Sequence, residues 1–101
     1  MSESNKDEPE KNDEIYILRL FVSGTSPNSV RAINNLQVIC ESHLKDRYEL
    51  EIIDIHQQPL LVRNEDVAAV PMLIKKAPFP KRRLVGDMSE KEKVLKGLGL
   101  L

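Results

Sequence analysis

The sequence predicts an α/β domain with the element order βαβαββα, and three observations lead to this prediction. Residues 15–22 are apolar at seven of eight positions and rich in strand formers, a pattern typical of a central strand covered on both faces. A helical pattern of about sixteen residues joins this strand to a second one, so the two strands should be parallel with a right-handed crossover. Two further strand patterns, over residues 71–76 and 81–85, are separated only by residues 77–80, which indicates an antiparallel hairpin.

The first helix is predicted to begin at Pro27, because proline suits the first turn of a helix and Ser26 stands before it as an N-cap. The helix is expected to end near His43, and the second strand is predicted over residues 48–55. Apolar residues that recur at helical spacing predict the buried stripe of this helix: Val30, Ile33, Leu36 or Gln37, Cys40 and Leu44.

The second half of the chain is predicted to hold a short helix, the hairpin and a final helix. Pro59 can open the short helix, because a proline is tolerated in the first turn. Ser89 and Glu92 have the spacing of a capping box, which predicts a last helix from Glu90 towards Leu98.

This order of elements is typical of a thioredoxin-like fold with a four-stranded mixed sheet. The break after the first strand and the Val70-Pro71 step before the third strand support that assignment. Thioredoxin-like sheets usually have a cis bond at this step, so we predict a cis peptide bond before Pro71. A dithiol enzyme of this fold needs two cysteines at the start of the first helix. The chain has no cysteine there and reads Ser26, Pro27, Asn28 and Ser29.

The composition fits one small globular domain. The chain of 101 residues is too short for a multidomain enzyme, and 41% hydrophobic with 31% charged residues is ordinary for a soluble protein. No apolar run approaches the roughly 20 residues that cross a bilayer, and the polar N-terminus excludes a secretory signal. A single cysteine excludes an internal disulfide. We therefore expect a cytoplasmic protein without a membrane partner.

A charge asymmetry divides the chain into two parts. Residues 1–14 carry six acidic and two basic side chains, a net charge of −4, whereas the remaining 87 residues carry +3. The first part has no apolar residue apart from Met1, so it cannot bury enough surface to offset the entropy cost of ordering. The sequence predicts a disordered acidic tail over residues 1–14 and a single domain over residues 15–101.

No residue pattern indicates catalysis. Cys40 lies on the predicted apolar stripe and is expected to be a small buried core residue. Cys40 and His43 are three residues apart but have no clear third metal ligand nearby. There is no glycine-rich phosphate loop, and no spacing supports a Ser/His/Asp triad. We therefore expect no enzymatic activity, no cofactor and no bound metal.

A cluster of basic residues is the most distinctive feature of the hairpin. It consists of five cations within nine residues, with no acid among them: Lys75, Lys76, Lys81, Arg82 and Arg83. They form either a solvated outer face or a docking surface for an acidic partner. A nucleic-acid partner is disfavoured, because stacking on bases needs exposed aromatic residues and the chain has four aromatic residues in all. An acidic protein surface is the partner that this pattern favours over DNA or RNA.

These features and several sequence segments resemble the KaiB family of circadian-clock proteins. The resemblance extends over nearly all of residues 15–101, and it is carried by residues 20–32, 53–55, 69–73, 82–89, 92–95 and 97–98. The most specific parts read Pro-Asn-Ser-Val-Arg-Ala at residues 27–32 and Arg-Arg-Leu-Val-Gly-Asp-Met-Ser at residues 82–89. Both occur in the family's order and spacing.

The resemblance implies a regulator and not an enzyme. KaiB-like proteins bind the ATPase ring of KaiC and modulate its phosphorylation cycle, so a KaiC-like ATPase is the expected partner. The expected partner-binding residues are the five cations of the hairpin and Arg31. Family members can also form a homo-oligomer, a dimer or tetramer, and can switch to a ground-state fold of order βαββααβ. That fold is the alternative to the thioredoxin-like prediction.

The sequence departs from the family's pattern at two places. Glu49 and Glu51 stand in the second strand where cyanobacterial members tend to be neutral or basic, which makes a KaiA-type partner doubtful. The chain ends Gly97-Leu98-Gly99-Leu100-Leu101 without the usual acidic C-terminal tail. These departures fit a role in stress adaptation or signalling as well as one in timekeeping. A degenerate thioredoxin-like adaptor for another kinase or ATPase, without redox activity, is the alternative function.

Overall fold

The computed structural model describes residues 14–101, and its elements follow the predicted order. The strands are β1 (Tyr16–Val22), β2 (Tyr48–Asp54), β3 (Met72–Ala77) and β4 (Arg82–Val85), and the helices are α1 (Pro27–His43), α2 (Pro59–Glu65) and α3 (Lys91–Leu98). The acidic tail predicted over residues 1–14 lies outside the described residues, apart from Glu14.

The four strands form one mixed sheet in the order β2-β1-β3-β4. The first strand pairs with β2 in parallel, as the βαβ prediction requires, and with β3 in antiparallel orientation. The predicted hairpin is the antiparallel pair of β3 and β4, with Lys75 opposite Arg82. The predicted thioredoxin-like arrangement is therefore confirmed at the level of element order and strand pairing.

Helices cover both faces of the sheet. Leu18 and Leu20 of β1 pack with residues of α1 and α3 in the larger core cluster. Phe21 points to the opposite face and packs with Ile53 and with the partly buried Leu61 of α2. This arrangement explains the doubly apolar pattern of β1, because side chains that alternate along a central strand meet a helix layer on either side.

The first helix begins where the sequence predicts, but its buried face is rotated slightly about the helix axis relative to the predicted one. Ser26 is the N-cap and accepts a hydrogen bond from the Ser29 amide at 3.3 Å, with Pro27 in the first turn. The prediction of a buried Val30 is wrong, because Val30 is 41% exposed. Ser29 and Ala32 are buried in its place, since the small side chains let the helix lie close to the sheet.

The predicted capping box of α3 is also wrong. The helix begins at Lys91 with Glu90 as N-cap, and no side chain caps it. Ser89 instead donates its amide to Asp87 Oδ1 at 3.0 Å, so the turn before the helix takes Ser89 away from the capping role. The helix ends as predicted at Leu98, where Gly99 adopts a left-handed conformation with a φ of 80°.

The Val70-Pro71 peptide bond is cis, as predicted. The bonds before Pro78 and Pro80 in the hairpin loop are cis as well. Within residues 14–101, no helix has the length and apolar character needed to cross a membrane.

Candidate partner-binding surface

The hairpin of β3 and β4 distributes its cations over both faces of the sheet. Successive side chains of a strand point to opposite faces, so Lys75 and its cross-strand neighbour Arg82 share the face covered by α1 and α3. Lys76 and Arg83 lie on the face of α2, where Lys76 reaches Glu65 and Arg83 reaches Asp66. The five cations therefore do not form one continuous surface.

Lys75 is buried and does not belong to an exposed docking surface. Only 3% of the residue is exposed, and its Nζ lies 5.9 Å from the centroid of the Tyr16 ring, within range of a cation–π contact. Burial lowers the pKa of Lys75, and Arg82 lowers it further. The prediction that Lys75 is part of the partner-binding set is corrected on this ground.

Glu65 at the end of α2 draws Lys76 and Lys81 into an ion-pair cluster. Its Oε2 accepts hydrogen bonds from Lys76 Nζ at 2.6 Å and from Arg19 Nη1 at 3.0 Å, and its Oε1 lies 3.6 Å from Lys81 Nζ. The Glu65 side chain is only 9% exposed. The hydrogen bond from Lys76 is the main cause that lowers the pKa of Glu65.

Sequence reasoning missed Glu65. The stretch of five cations contains no acid, but Glu65 from α2 pairs with two of them in the folded chain. The residue precedes Lys76 by 11 positions, and only the docking of α2 on the sheet brings the two together. The available signal was its place four residues after Leu61, a partly buried residue of α2, because residues four apart share a helix face.

The two arginines of β4 remain exposed. Within residues 14–101, neither Arg82 nor Arg83 forms an ion pair with a carboxylate, and Arg83 donates to the backbone oxygen of Asp66 at 3.2 Å. Phe79 at the hairpin tip is 91% exposed. We call these three residues, together with the half-paired Lys81, the hairpin surface; it follows the outer edge of the sheet at β4, from which Arg82 and Arg83 point to opposite faces.

Arg31 lies apart from the hairpin surface. Its Nε donates to Asp87 Oδ2 at 3.2 Å, and its Nη2 donates to Asn28 Oδ1. Asp87 follows the C-terminal end of β4, whereas Arg82 is at the N-terminal end, and five residues of extended chain span about 16 Å. The structure therefore does not bring Arg31 together with the other predicted partner-binding residues.

Asp87 organises the loop that Arg31 contacts. Hydrogen bonds from Ser89, from its side chain first and its backbone second, lower the pKa of Asp87, and Arg31 adds to the effect. Asn35 of α1 donates to the Asp87 backbone oxygen at 2.9 Å. Arg31 thus has a structural partner, which explains its position without a ligand.

The Ser26–Ser29 motif forms a closed set of hydrogen bonds at the start of α1. Ser26 Oγ donates to Ser29 Oγ at 2.8 Å, and Ser29 Oγ accepts from the Ser23 amide at 3.0 Å. Ser29 is fully buried. Hydroxyl groups cannot form the disulfide that redox chemistry requires, so this place joins β1 to α1 and carries no dithiol.

Cys40 is a core residue, as predicted. It is fully buried in the cluster between α1 and the sheet. Burial raises the pKa of its thiol to about 12, with a smaller contribution from Glu41. Because the thiolate is the reactive form, Cys40 is an unreactive thiol in the folded chain.

Two histidines provide no site in the described part of the chain. His56 Nε2 lies 3.1 Å from Ser23 Oγ, and the His56 amide donates to Asp54 Oδ1 at 2.9 Å. This contact is exposed, and none of the acids in residues 14–101 forms a hydrogen bond with the ring. Between residues 14 and 101, no three His, Cys, Asp or Glu side chains are grouped as metal ligands, so His43 and Cys40 have no third partner there.

Comparisons with known proteins agree on a family and on a fold. A sequence profile of the KaiB domain matches residues 19–100. The circadian clock oscillator protein KaiB of Prochlorococcus marinus strain MIT 9312 is 49% identical over 86 residues, which cover 85% of this chain and 82% of that relative.

Two solved structures share the fold at low sequence identity. The N-terminal domain of SasA from Synechococcus elongatus has a TM-score of 0.68 and 22% identity, and the match covers 100% of this chain and 95% of that one. The germline-specific thioredoxin Deadhead of Drosophila melanogaster has a TM-score of 0.70 and 13% identity, with coverage of 91% and 86%. Both confirm the thioredoxin-like fold.

Proposed function

The chain belongs to the KaiB family of circadian-clock proteins, and on this premise we propose that it is a non-enzymatic regulator that binds a KaiC-like ATPase ring. In this proposal the hairpin surface makes the contact, and binding modulates the phosphorylation and ATPase cycle of the ring. The regulation serves circadian timing or a related stress or signalling response.

The exposed pair of Arg82 and Arg83 is the observation that carries the proposal. A guanidinium can bind a carboxylate through two hydrogen bonds, and within residues 14–101 neither arginine has a carboxylate partner. Both belong to β4, an edge strand of the sheet, so a partner can approach them from the side. An acidic protein surface is the chemistry that satisfies these groups.

Phe79 gives the same surface an apolar contact point. It is 91% exposed between two prolines, and burial of an aromatic ring beside arginines is a common source of binding energy in protein interfaces. The expected partner surface therefore combines carboxylates with a small apolar depression. Lys81 contributes less, because Glu65 already lies 3.6 Å from its Nζ.

The absence of a usable thiol supports regulation without catalysis. Cys40 is buried and has a raised pKa, and the Ser26–Ser29 motif occupies the place where a dithiol would lie. Without a dithiol this place offers no thiol redox chemistry, and binding is the mechanism that we propose.

A KaiA-type partner is not part of the proposal. Glu49 and Glu51 lie on β2, the edge strand opposite the hairpin. Both are exposed, and Glu51 also forms an ion pair with Arg19 at 3.2 Å. These carboxylates give the β2 edge an acidic character, which disfavours a partner selected for a neutral or basic strand.

The proposal is tested with the purified chain and the KaiC-like ATPase of the same organism. We expect the two to co-elute from a sizing column and the ATP hydrolysis rate of the ring to change on saturation with the chain. A dithiol thioredoxin serves as a control, because it has the fold without the hairpin surface. Failure to co-elute, with an unchanged hydrolysis rate, refutes the proposal. Capture of a different kinase or ATPase by the chain would favour the adaptor alternative.

A further inference from the structure

The basic hairpin lies beside the point at which the acidic segment of the chain joins the sheet. We propose that the hairpin surface is a docking site for the chain's own residues 1–14, held by charge attraction. This contact goes beyond the proposed function and does not depend on it, because it forms within one free molecule.

The strand register places the two features side by side. The first strand begins at Tyr16, and Ile17 is paired with Ala77 at the end of β3. Glu14 and Ile15, the described residues that precede Tyr16, therefore leave the sheet next to the hairpin loop. Arg82 on β4 is separated from β1 by two strand spacings, about 10 Å.

The acidic segment is long enough to reach every cation of the hairpin surface. Thirteen residues precede Glu14, and an extended chain of that length spans at most about 45 Å. This reach exceeds the separation of the two strands several-fold. Attachment to the same chain also raises the effective concentration of the segment near the hairpin to about the millimolar range, so weak individual contacts suffice.

The charges are complementary. Residues 1–14 carry a net charge of −4 and the rest of the chain +3. The acids of the segment are Glu3, Asp7, Glu8, Glu10, Asp13 and Glu14. Within residues 14–101 the exposed Arg82 and Arg83 have no carboxylate partner, so they are the cations with the most to gain from such a contact.

The charge of Glu14, the last acid of the segment, acts on Lys75 of the hairpin. It is exposed at the start of the described chain. Although burial and Arg82 lower the pKa of Lys75, the Glu14 carboxylate acts in the opposite direction and raises it. Lys75 faces Arg82 across the hairpin. The charge of Glu14 thus acts on the hairpin face that Lys75 and Arg82 share.

A second basic site is within reach and is the main competitor. Lys45 and Arg47 lie in the turn before β2, and the Tyr16 amide donates to the Arg47 backbone oxygen at 2.8 Å. Asp46 stands between these two cations, and Glu49 follows close behind. The acids reduce the positive potential of this turn, so we assign the segment to the hairpin.

Docking has one consequence that rests on the proposed function. The segment occupies the arginines that an acidic partner would bind, so segment and partner compete. An acidic segment that competes in this way lowers the apparent affinity for the partner without a change of fold.

The docking itself is tested by paramagnetic relaxation in the full chain. A nitroxide is attached to a Ser4→Cys variant; the buried Cys40 does not react. At low ionic strength we expect the amide signals of Lys81, Arg82 and Arg83 to lose intensity at least twofold, and to recover at about 0.5 M salt, where the Debye length falls to a few ångströms.

Two matched variants complete the test. Replacement of the segment's acids by Gln and Asn in the labelled chain should abolish the effect, and Arg82→Gln should reduce it. Signal loss centred on Lys45 and Arg47 would overturn the assignment to the hairpin. A loss of signal intensity that is uniform over the chain would overturn docking through charge. So would a loss that changes neither with salt nor on replacement of the segment's acids.

Discussion

Glu65 is the residue on which the charges of the α2 face converge. One carboxylate with a 9% exposed side chain meets cations from β1, from β3 and from the hairpin loop. Breaking a buried ion pair by removal of one partner is costly, because it leaves the other charges without compensation. Glu65 therefore links α2 to the sheet more strongly than an exposed ion pair could.

The first prediction concerns Glu65→Gln. The substitution keeps the shape of the side chain but removes the charge that Arg19, Lys76 and Lys81 share, so we expect a loss of about 1–3 kcal/mol in the free energy of unfolding. Chemical denaturation near pH 7 measures it. Glu49→Gln is the matched control, because Glu49 is exposed on β2, and a change within about 0.5 kcal/mol is expected there.

The difference in stability between the native chain and Glu65→Gln should depend on pH, with a sign that follows from the pKa of Glu65. The pKa of Glu65 is lowered in the folded state from its ordinary value of 4.5. The stabilisation is therefore complete above about pH 4.5 and is lost as the pH falls through the folded-state pKa. The stability gap between the native chain and Glu65→Gln should shrink on acidification below that point. A gap that stays constant down to about pH 3 would contradict the role of the carboxylate charge.

At the residue scale, the sequence predicts roles that depend on neighbours in the same helix and misses contacts between different elements. The cap at Ser26 and the burial of Cys40 follow from neighbours along one helix, and both are confirmed. The burial of Lys75 depends on Tyr16 of another strand, and the pairing of Lys76 depends on Glu65 of a helix. No spacing within the hairpin encodes either contact, since both arise when the elements pack.

At the scale of elements, α2 is only weakly anchored to the rest of the described fold. It has seven residues, and within residues 14–101 its N-cap Gln58 makes no side-chain capping hydrogen bond. Leu60 is 66% exposed, and the packing of the helix rests on partly buried residues such as Leu61. A helix this short is not stable without its tertiary contacts, so its anchor at Glu65 matters.

The second prediction is that α2 opens before the sheet does. We expect the amides of residues 62–65 to exchange with solvent at least about 100-fold faster than those of β1, because local opening of a weakly packed element needs less free energy than global unfolding. Hydrogen exchange followed by NMR measures both. Glu65→Gln should speed exchange in α2 further and leave β1 protected. Equal protection of α2 and β1 would contradict this account.

The start of a helix could be predicted from the sequence where no other group competes for its capping residue. Pro27 and Ser26 define the start of α1 without competition. Ser89 had the sequence of a capping residue, but Asp87 accepts its amide and places it in a turn, so the helix begins later. The rotated buried face of α1 has a similar origin, because the Ser23 amide donates a hydrogen bond to Ser29 Oγ and so keeps Ser29 on the buried side of the helix.

At the scale of the whole molecule, the proposed function depends on how charge is placed on a nearly neutral chain. The net charge is only −1, yet the acidic segment is at one end of the chain and exposed arginines lie on one edge strand. Pairing with β3 holds those arginines in place. Regulation through an acidic partner, the central claim, therefore rests on Arg82 and Arg83.

The measurement that tests this claim most directly is the affinity for the KaiC-like ring at two ionic strengths. The full chain is compared with Arg82→Glu/Arg83→Glu and with the control Lys91→Glu/Lys96→Glu, which makes the same change in net charge at exposed positions of α3. At about 0.05 M salt we expect the hairpin variant to bind at least tenfold more weakly, about 1.4 kcal/mol, with a flattened salt dependence. The α3 variant should stay within about twofold. Equal affinity of all three chains, or equal loss in both variants, would contradict the account.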